Sequence, residues 1–544
     1  MPAWKLRGDG SVRVYERALG LTELGFYWDS KFNGTADTLQ HALVEILDPL
    51  NQKTFGADNI TLAWQALKQQ FPLLGAYLEE QRDGEQISFV VAEDRLQSCG
   101  PGEAAFHTVD SLTAAQEFAD AVINGERLLS DNLLARIVIL FRTDAISHIH
   151  LLIHVAHCIT DGMANATTLR SFLDILSAPA KGTKWDLEER LALALPSTDL
   201  VPGAKLNTAR YRWHRAVGQI LSAIRMSKIT GGHTLPRKYS HLTPYTPARS
   251  GNVACSFSPE QSVRIIQNCR ANGLTFGNAY PVLAQVALTR VLCRRYIRGD
   301  IDREEWEYRK KEPMVTGGPL SIRPYLDREW HQNGGSGNVA LAIGFFFMRL
   351  PFMPLGSAGN LRPGDSLPSF QDLLSFQRFL LRSRSIKRQS ASLMKHPLFL
   401  HLSGTRSQAS VERLKDVARN WKKKRGEAAV QIPVMKQSPV MAHGGSSLGN
   451  IDHLVPRYYP LEPRAASTPR LYLHFSQTRL HCRPAELYLG AATTRQQLHL
   501  NVFWDMNVYE EDTIREWLNE VREATEFYLG GEGSIATGKP LAHL

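Results

Sequence analysis

The sequence predicts an α/β protein in two halves of similar size, and three observations predict it. The chain has 544 residues, too many for one simple core and enough for two average-to-large domains. Apolar residues recur at helical spacing in some stretches and alternate with polar ones in others, so helices and strands are mixed. A stretch rich in Gly, Pro, Thr and Ser, from Gly231 to Gly251, separates the halves and gives domains of residues 1–235 and 250–544.

In the first half, apolar positions at helical spacing predict a helix over Thr61 to Gln70, which Pro72 ends. Ala135 to Phe141 and His148 to Val155 alternate with period two around a turn at Thr143-Asp144, so they predict a strand pair. On the second strand His148, His150 and His154 fall on one face, expected to be partly exposed. Helices are predicted over Met163 to Leu176 and Thr208 to Ser227. The second half opens with a strand near Asn252 to Phe257, and Ser258-Pro259-Glu260 makes a good helix start. A long helix is expected over Asn278 to Tyr296. Strand-like runs follow at Val339 to Leu350, Leu471 to Phe475, Glu486 to Ala492 and Gln497 to Trp504, and a helix over Glu511 to Tyr528 closes the fold. Between these, Gln377 to Gly426 is polar, basic and expected to be partly mobile.

Hydrophobic residues make up 43% and charged residues 21%, the composition of an ordinary soluble globular protein. The first twenty residues mix Lys, Arg, Asp and Glu, unlike a signal peptide, and the most apolar run, Val339 to Met348, is too short to span a bilayer. Six scattered cysteines without a CxxC pair fit reduced thiols, so the expected location is the cytoplasm. The net charge of +10 is spread over a long chain; it suits an anionic small donor as well as nucleic acid, and simple solubility would also account for it. No dinucleotide fingerprint, phosphate loop or nucleic-acid motif is present.

The strongest local feature is His154-Val-Ala-His157-Cys-Ile-Thr-Asp161-Gly162, set between a strand and a helix. His154, His157 and Cys158 lack the spacing and the second ligand pair of a zinc site, so no metal is expected. Asp161 is also well placed as an N-cap, and Gly162 to ease the turn. Further along stand Gly317-Gly-Pro-Leu-Ser-Ile-Arg323 and Ser446-Ser-Leu-Gly449-Asn-Ile-Asp452. Gly445 to Gly449 also fits GxSxG, the serine-hydrolase elbow, but the residues that follow make a poor helix start.

His-x-x-x-Asp-Gly after a strand resembles the active-site signature of the chloramphenicol acetyltransferase-like superfamily, which includes peptide-synthetase condensation domains and the BAHD acyltransferases. Phe32 to Asp37 and Leu67 to Leu74 look like the opening strand and first helix of fungal acetyltransferases in this group. The Ser446 to Asp452 segment is similar to one in trichothecene 15-O-acetyltransferase-like proteins. Two departures stand out: Ala156 replaces the first His of the condensation-domain motif, and Val502-Phe-Trp-Asp505-Met stands near the place of the BAHD DFGWG signature.

The resemblance implies two chloramphenicol acetyltransferase-like lobes with an active-site tunnel between them. It implies acyl transfer, acetyl-CoA being the expected donor, to a hydroxyl of a fungal-type secondary metabolite. His157 would be the base that takes the proton of an alcohol attacking a thioester, a task suited to an imidazole. Asp161 would be structural, paired with Arg323, and Gly162 would keep the tunnel clear. Ser446 or Ser447 would donate to the developing oxyanion. Lys422, Lys423 and Lys424, or the run Arg378 to Arg388, are candidates to meet the phosphates of coenzyme A or the acidic surface of a carrier protein. No bound cofactor is required, since the thioester is already activated. Three rival readings are a serine hydrolase using Ser447, a same-fold protein catalysing cyclisation or dehydration, and one that only binds a ligand.

Overall fold

The computed structural model describes residues 4–7, 12–47, 55–81, 85–178, 185–202, 207–238, 246–403, 408–423, 439–461 and 470–531. Among them, no helix is long and apolar enough to cross a membrane.

Two six-stranded sheets organise the chain. The first has His148–Val155 near its middle, antiparallel to Thr38–Ile46 on one side and Ala135–Arg142 on the other. Its odd residues Ile149, Leu151, Ile153 and Val155 enter the main core of the first lobe. Helix Ala57–Gln70 and helix Gly162–Ser177 cross there, with Trp64 edge-on to Phe172. The opposite face packs Leu152 against Ala115, Ala119 and Ile123 of helix Leu112–Asn124. Burial on both sides explains a correction: His150 and His154 are buried, at 0% and 3% exposure, and only His148 is partly open.

The second sheet runs Ile343–Leu350, Met314–Ser321, Met441–Asn450, Leu487–Thr494, Gln497–Asp505, Ser250–Ser256. Helix Phe276–Arg298 is apolar around most of its circumference because it lies inside the second core. Helix Glu511–Leu529 and helix Phe376–Met394 flank it. Gly299, in the left-handed region at φ 80°, ends the long helix.

The sheets do not follow the order of the sequence throughout. Strand Leu471–Leu480, from the second half, pairs with Thr38–Ile46 and extends the sheet of the first lobe, carrying Leu471 and Leu473 into its core. Helix Gln408–Lys423 likewise packs on helix Leu21–Ser30, where Trp421 meets Phe32 edge-on.

Three further segments differ from expectation. The described part of Gln377 to Gly426 is mostly helical: Phe379, Leu380 and Ile386 share one buried stripe, Val411 and Ala418 another, and most of the basic residues take the outer faces. Phe32 to Asp37 is a tight turn rather than a strand, with Asn33, Gly34 and Ala36 all at positive φ. The strand expected from Val339 begins only at Ile343, because the backbone just before it is committed to Asp161 and Arg323.

Candidate active site at the end of the central strand

The chain leaves the first sheet at Val155, and Ala156 to Ile159 turn tightly, with the Ile159 N–H donating to the Ala156 carbonyl at 3.1 Å. Cys158 and Ile159 are buried and anchor the turn, leaving His157 half-buried at its apex. The imidazole stacks on Phe26, centroids 4.0 Å apart and planes 13° from parallel. The His157 backbone N–H donates to Asp37, a buried carboxylate that also accepts from Arg127 Nε at 2.7 Å. Desolvation, and next the positive charge of Arg483, lower the His157 pKa to about 4, opposed by backbone groups of His157 and Thr160 and by Asp161. Its Nδ1 is buried.

Asp161 does two things at once. Its Oδ1 accepts from the Met163 and Ala164 N–H groups, both at 3.0 Å, and so caps helix Gly162–Ser177. Arg323, just after strand Met314–Ser321, donates from one nitrogen to both carboxylate oxygens at 3.0 and 2.8 Å. The Ala342 N–H adds a bond of 2.8 Å to Oδ2, and Arg323 also holds the Ala340 carbonyl at 2.6 Å. Both ions are buried, at 1% and 3% exposure, and no bond to His157 is among those described for the carboxylate. Gly162 is exposed, and a Cβ there would meet nothing within 4 Å.

Ser446 and Ser447 lie within strand Met441–Asn450, so they point to opposite faces. Ser447 faces the start of the long buried helix, its Cβ 3.4 Å from where a Gly277 side chain would begin. Ser446 Oγ accepts from the Tyr488 hydroxyl at 2.7 Å. Tyr488 packs beside Ala248, Cys482 and Phe503, and the neighbouring His481 donates its backbone N–H to the Asp37 carbonyl at 2.9 Å. A short run of contacts thus links Ser446 to the surroundings of His157. The strand continues through Ser447 to Asn450, so the strand-to-helix turn of a hydrolase elbow is missing.

Helix Gln408–Lys423 ends inside the second basic run, and the Lys422 and Lys423 side chains and all of Lys424 lie outside the described residues. In the first run, Arg382 serves structure, donating to the Pro351 and Phe352 carbonyls and to Gln285. Two cavities lie away from His157, one lined by His233, Gln285 and Trp306, the other by Phe71, Arg170 and Asp174. Sequence reasoning missed Phe26, Arg127 and Arg483. They are ordinary residue types on distant segments, and only Asp37 fell within a segment singled out beforehand.

No family model matches the sequence, and no curated protein matches it in sequence. The fold does have counterparts among solved structures. The chain is similar to the TRI3 trichothecene 15-O-acetyltransferase from Fusarium sporotrichioides, with a TM-score of 0.68 and 13% identity, covering 96% of this chain and 97% of that one. It is also similar to the condensation domain of the monacolin K polyketide synthase MokA (TM-score 0.57, 10% identity, 95% and 98% covered). A third is the starter condensation domain of the rhizomide synthetase, in complex with C8-CoA (TM-score 0.57, 11% identity, 94% of each chain covered). The architecture is the two-lobed α/β fold of the chloramphenicol acetyltransferase-like superfamily, to which these acetyltransferase and condensation proteins belong.

Proposed function

We propose that the protein is an acyltransferase, carrying an acyl group from a coenzyme A thioester to a hydroxyl of a small secondary metabolite, with His157 as general base. One observation carries the reading: a half-buried imidazole stands at the end of the central strand, neutral at physiological pH, beside an aspartate fully engaged elsewhere. In this reading the two lobes enclose the tunnel, and the open space beside Gly162 is part of it.

Nε2 of His157 takes the proton of the acceptor hydroxyl as its oxygen attacks the thioester carbonyl carbon. A pKa near 4 keeps the ring neutral but makes it a weak base, so proton transfer runs with C–O bond formation, as the attacking oxygen becomes acidic. The C–S bond of the tetrahedral intermediate then breaks, and the departing sulfur receives the proton from the imidazolium. Ser446, whose oxygen already accepts from Tyr488, has its own hydroxyl hydrogen available for the oxyanion. No step needs a metal or a bound cofactor.

Acetyl-CoA is the first donor to test, because the similar acetyltransferase and the condensation domain in complex with C8-CoA both handle acyl groups. A donor held on a carrier protein is the second. Incubation with a panel of acyl-CoAs and candidate alcohols, following free CoA with a thiol reagent, should show release that requires the alcohol and is lost in His157→Ala. Labelling of Ser447 by a fluorophosphonate, with no alcohol-dependent release, would replace the transferase with a hydrolase.

A further inference from the structure

We propose a second site, remote from His157: a divalent transition-metal site of the zinc-binding class formed by Glu45, His148 and His474. One ligand atom from each lies within 4.8 Å of the other two. His474 Nε2 is 2.8 Å from Glu45 Oε2, and the two imidazole centroids are 5.1 Å apart.

Three neighbouring strands build this cluster. Glu45 and His148 are direct cross-strand partners. His474 reaches the same face through an irregularity: Leu473 pairs with Val44 and Phe475 with Leu43, which leaves His474 as an extra residue in its strand. A bulge of this kind re-aims a side chain. Here both His474 and Phe475 face the side of Glu45 and His148, Phe475 meeting His41 edge-on while His474 meets Glu45. Without the extra residue, strict alternation would turn one of the two to the other face.

Two imidazoles and a carboxylate are a zinc-competent set that leaves a fourth position for water. Bond lengths of about 2.0–2.1 Å bring ligand atoms to roughly 3.3 Å from each other, so the set must tighten, which three partly exposed side chains can do. The Ser147 hydroxyl lies 3.1 Å from His148 Nδ1, which orients the ring and leaves Nε2 to coordinate. Tyr472 stands edge-on to His474 at 4.8 Å and fixes that ring as well. The nearby cation Arg142 is already paired with Asp144.

His148 and His157 stand at opposite ends of one strand and its following turn, on the order of 25 Å apart at about 3.3 Å per residue. The ion would therefore serve architecture. It would clip the strand Leu471–Leu480, supplied by the second half of the chain, to its neighbour Thr38–Ile46 and to the next strand of the sheet, His148–Val155.

The test uses the full chain after treatment with chelator. Titration with Co2+ should give visible d–d absorption saturating at one equivalent, displaced by Zn2+, and Zn2+ should raise the melting temperature by several degrees. Glu45→Gln, His148→Gln and His474→Gln should each weaken Zn2+ binding at least about tenfold, with circular dichroism confirming that they fold. Absence of saturable binding in the wild type overturns the proposal without reference to any variant. Binding unchanged in all three variants, or a cobalt spectrum dominated by thiolate charge transfer, overturns it too.

Discussion

The Phe26 ring meets the His157 imidazole at 4.0 Å and the Arg483 guanidinium at 5.4 Å, so one aromatic side chain touches both the proposed base and the cation that suppresses its protonation. If His157 is the base, His157→Ala should lower turnover by about two to four orders of magnitude, and a variant keeping a third of wild-type activity would remove the assignment. The acid limb of kcat/KM should have its midpoint near 4 rather than at the ordinary 6.5, because the ring stays neutral until protons are far more abundant. Arg483→Gln removes a repulsive charge, so the pKa should rise and the limb move to higher pH; an unmoved limb would mean that Arg483 does not act on the base. Ser446→Ala should cost up to about two to three orders of magnitude in kcat, and Ser447→Ala much less, since Ser447 faces the helix. The reverse order would point to the other face of the strand. His157, Asp161 and Arg323 were legible because short motifs name them. Phe26 and Arg483 were not, since neither residue type nor spacing marks a ring or a cation that tertiary packing delivers.

Along the central strand, alternation revealed which residues share a face but not that the face is covered. His154, 3% exposed, with Nδ1 unbonded among the described residues, has its pKa lowered to about 3, first by burial and then by Arg127, Arg136 and His481. In the unfolded chain it would protonate near 6.5, so below that pH the unfolded state binds the extra proton. Stability is therefore undiminished above about 6.5 and falls as pH drops toward 3, by up to about 1.4 kcal/mol per pH unit for this one group. His154→Gln removes that proton, so its urea-unfolding free energy should fall less than the wild type's between pH 7 and pH 5. Parallel pH dependences would show that the group is not the source. Most elements could be read from period and punctuation: helix Thr208–Ser227 and strand His148–Val155 stand where the pattern puts them. The failures have physical causes. Helix Gln408–Lys423 hides two apolar turns under a charged surface, and residues 339–342 read as strand while their backbone serves an ion pair instead.

The two halves of the sequence are joined by more than the continuity of the chain. Strand Leu471–Leu480 belongs by sequence to the second half and by pairing to the sheet of the first, a crossing that period-two alternation cannot reveal because it carries no address. The second connection is the buried pair Asp161 and Arg323. Asp161 fixes the start of a first-lobe helix, while Arg323 and the Ala342 N–H reach it from segments flanking the second sheet. Two charges removed from water cost several kcal/mol each, and their mutual bonds offset most of this. Removing either one alone leaves the other buried and uncompensated, so Asp161→Asn and Arg323→Gln should each destabilise by roughly 3–5 kcal/mol. Asp161→Asn can keep the cap through its remaining oxygen, yet it turns an amide group toward donors, and part of its cost is that mismatch. In the double variant neither charge is left stranded, so its cost should be well below the sum of the two. A double-mutant cycle by urea unfolding measures the difference, expected at about 1 kcal/mol or more for residues in direct contact. Because Asp161 sits four residues beyond His157, the single variants should lose kcat more than acceptor KM, as a displaced base would. Strict additivity in the cycle would mean that the two lobes are not held together through this pair.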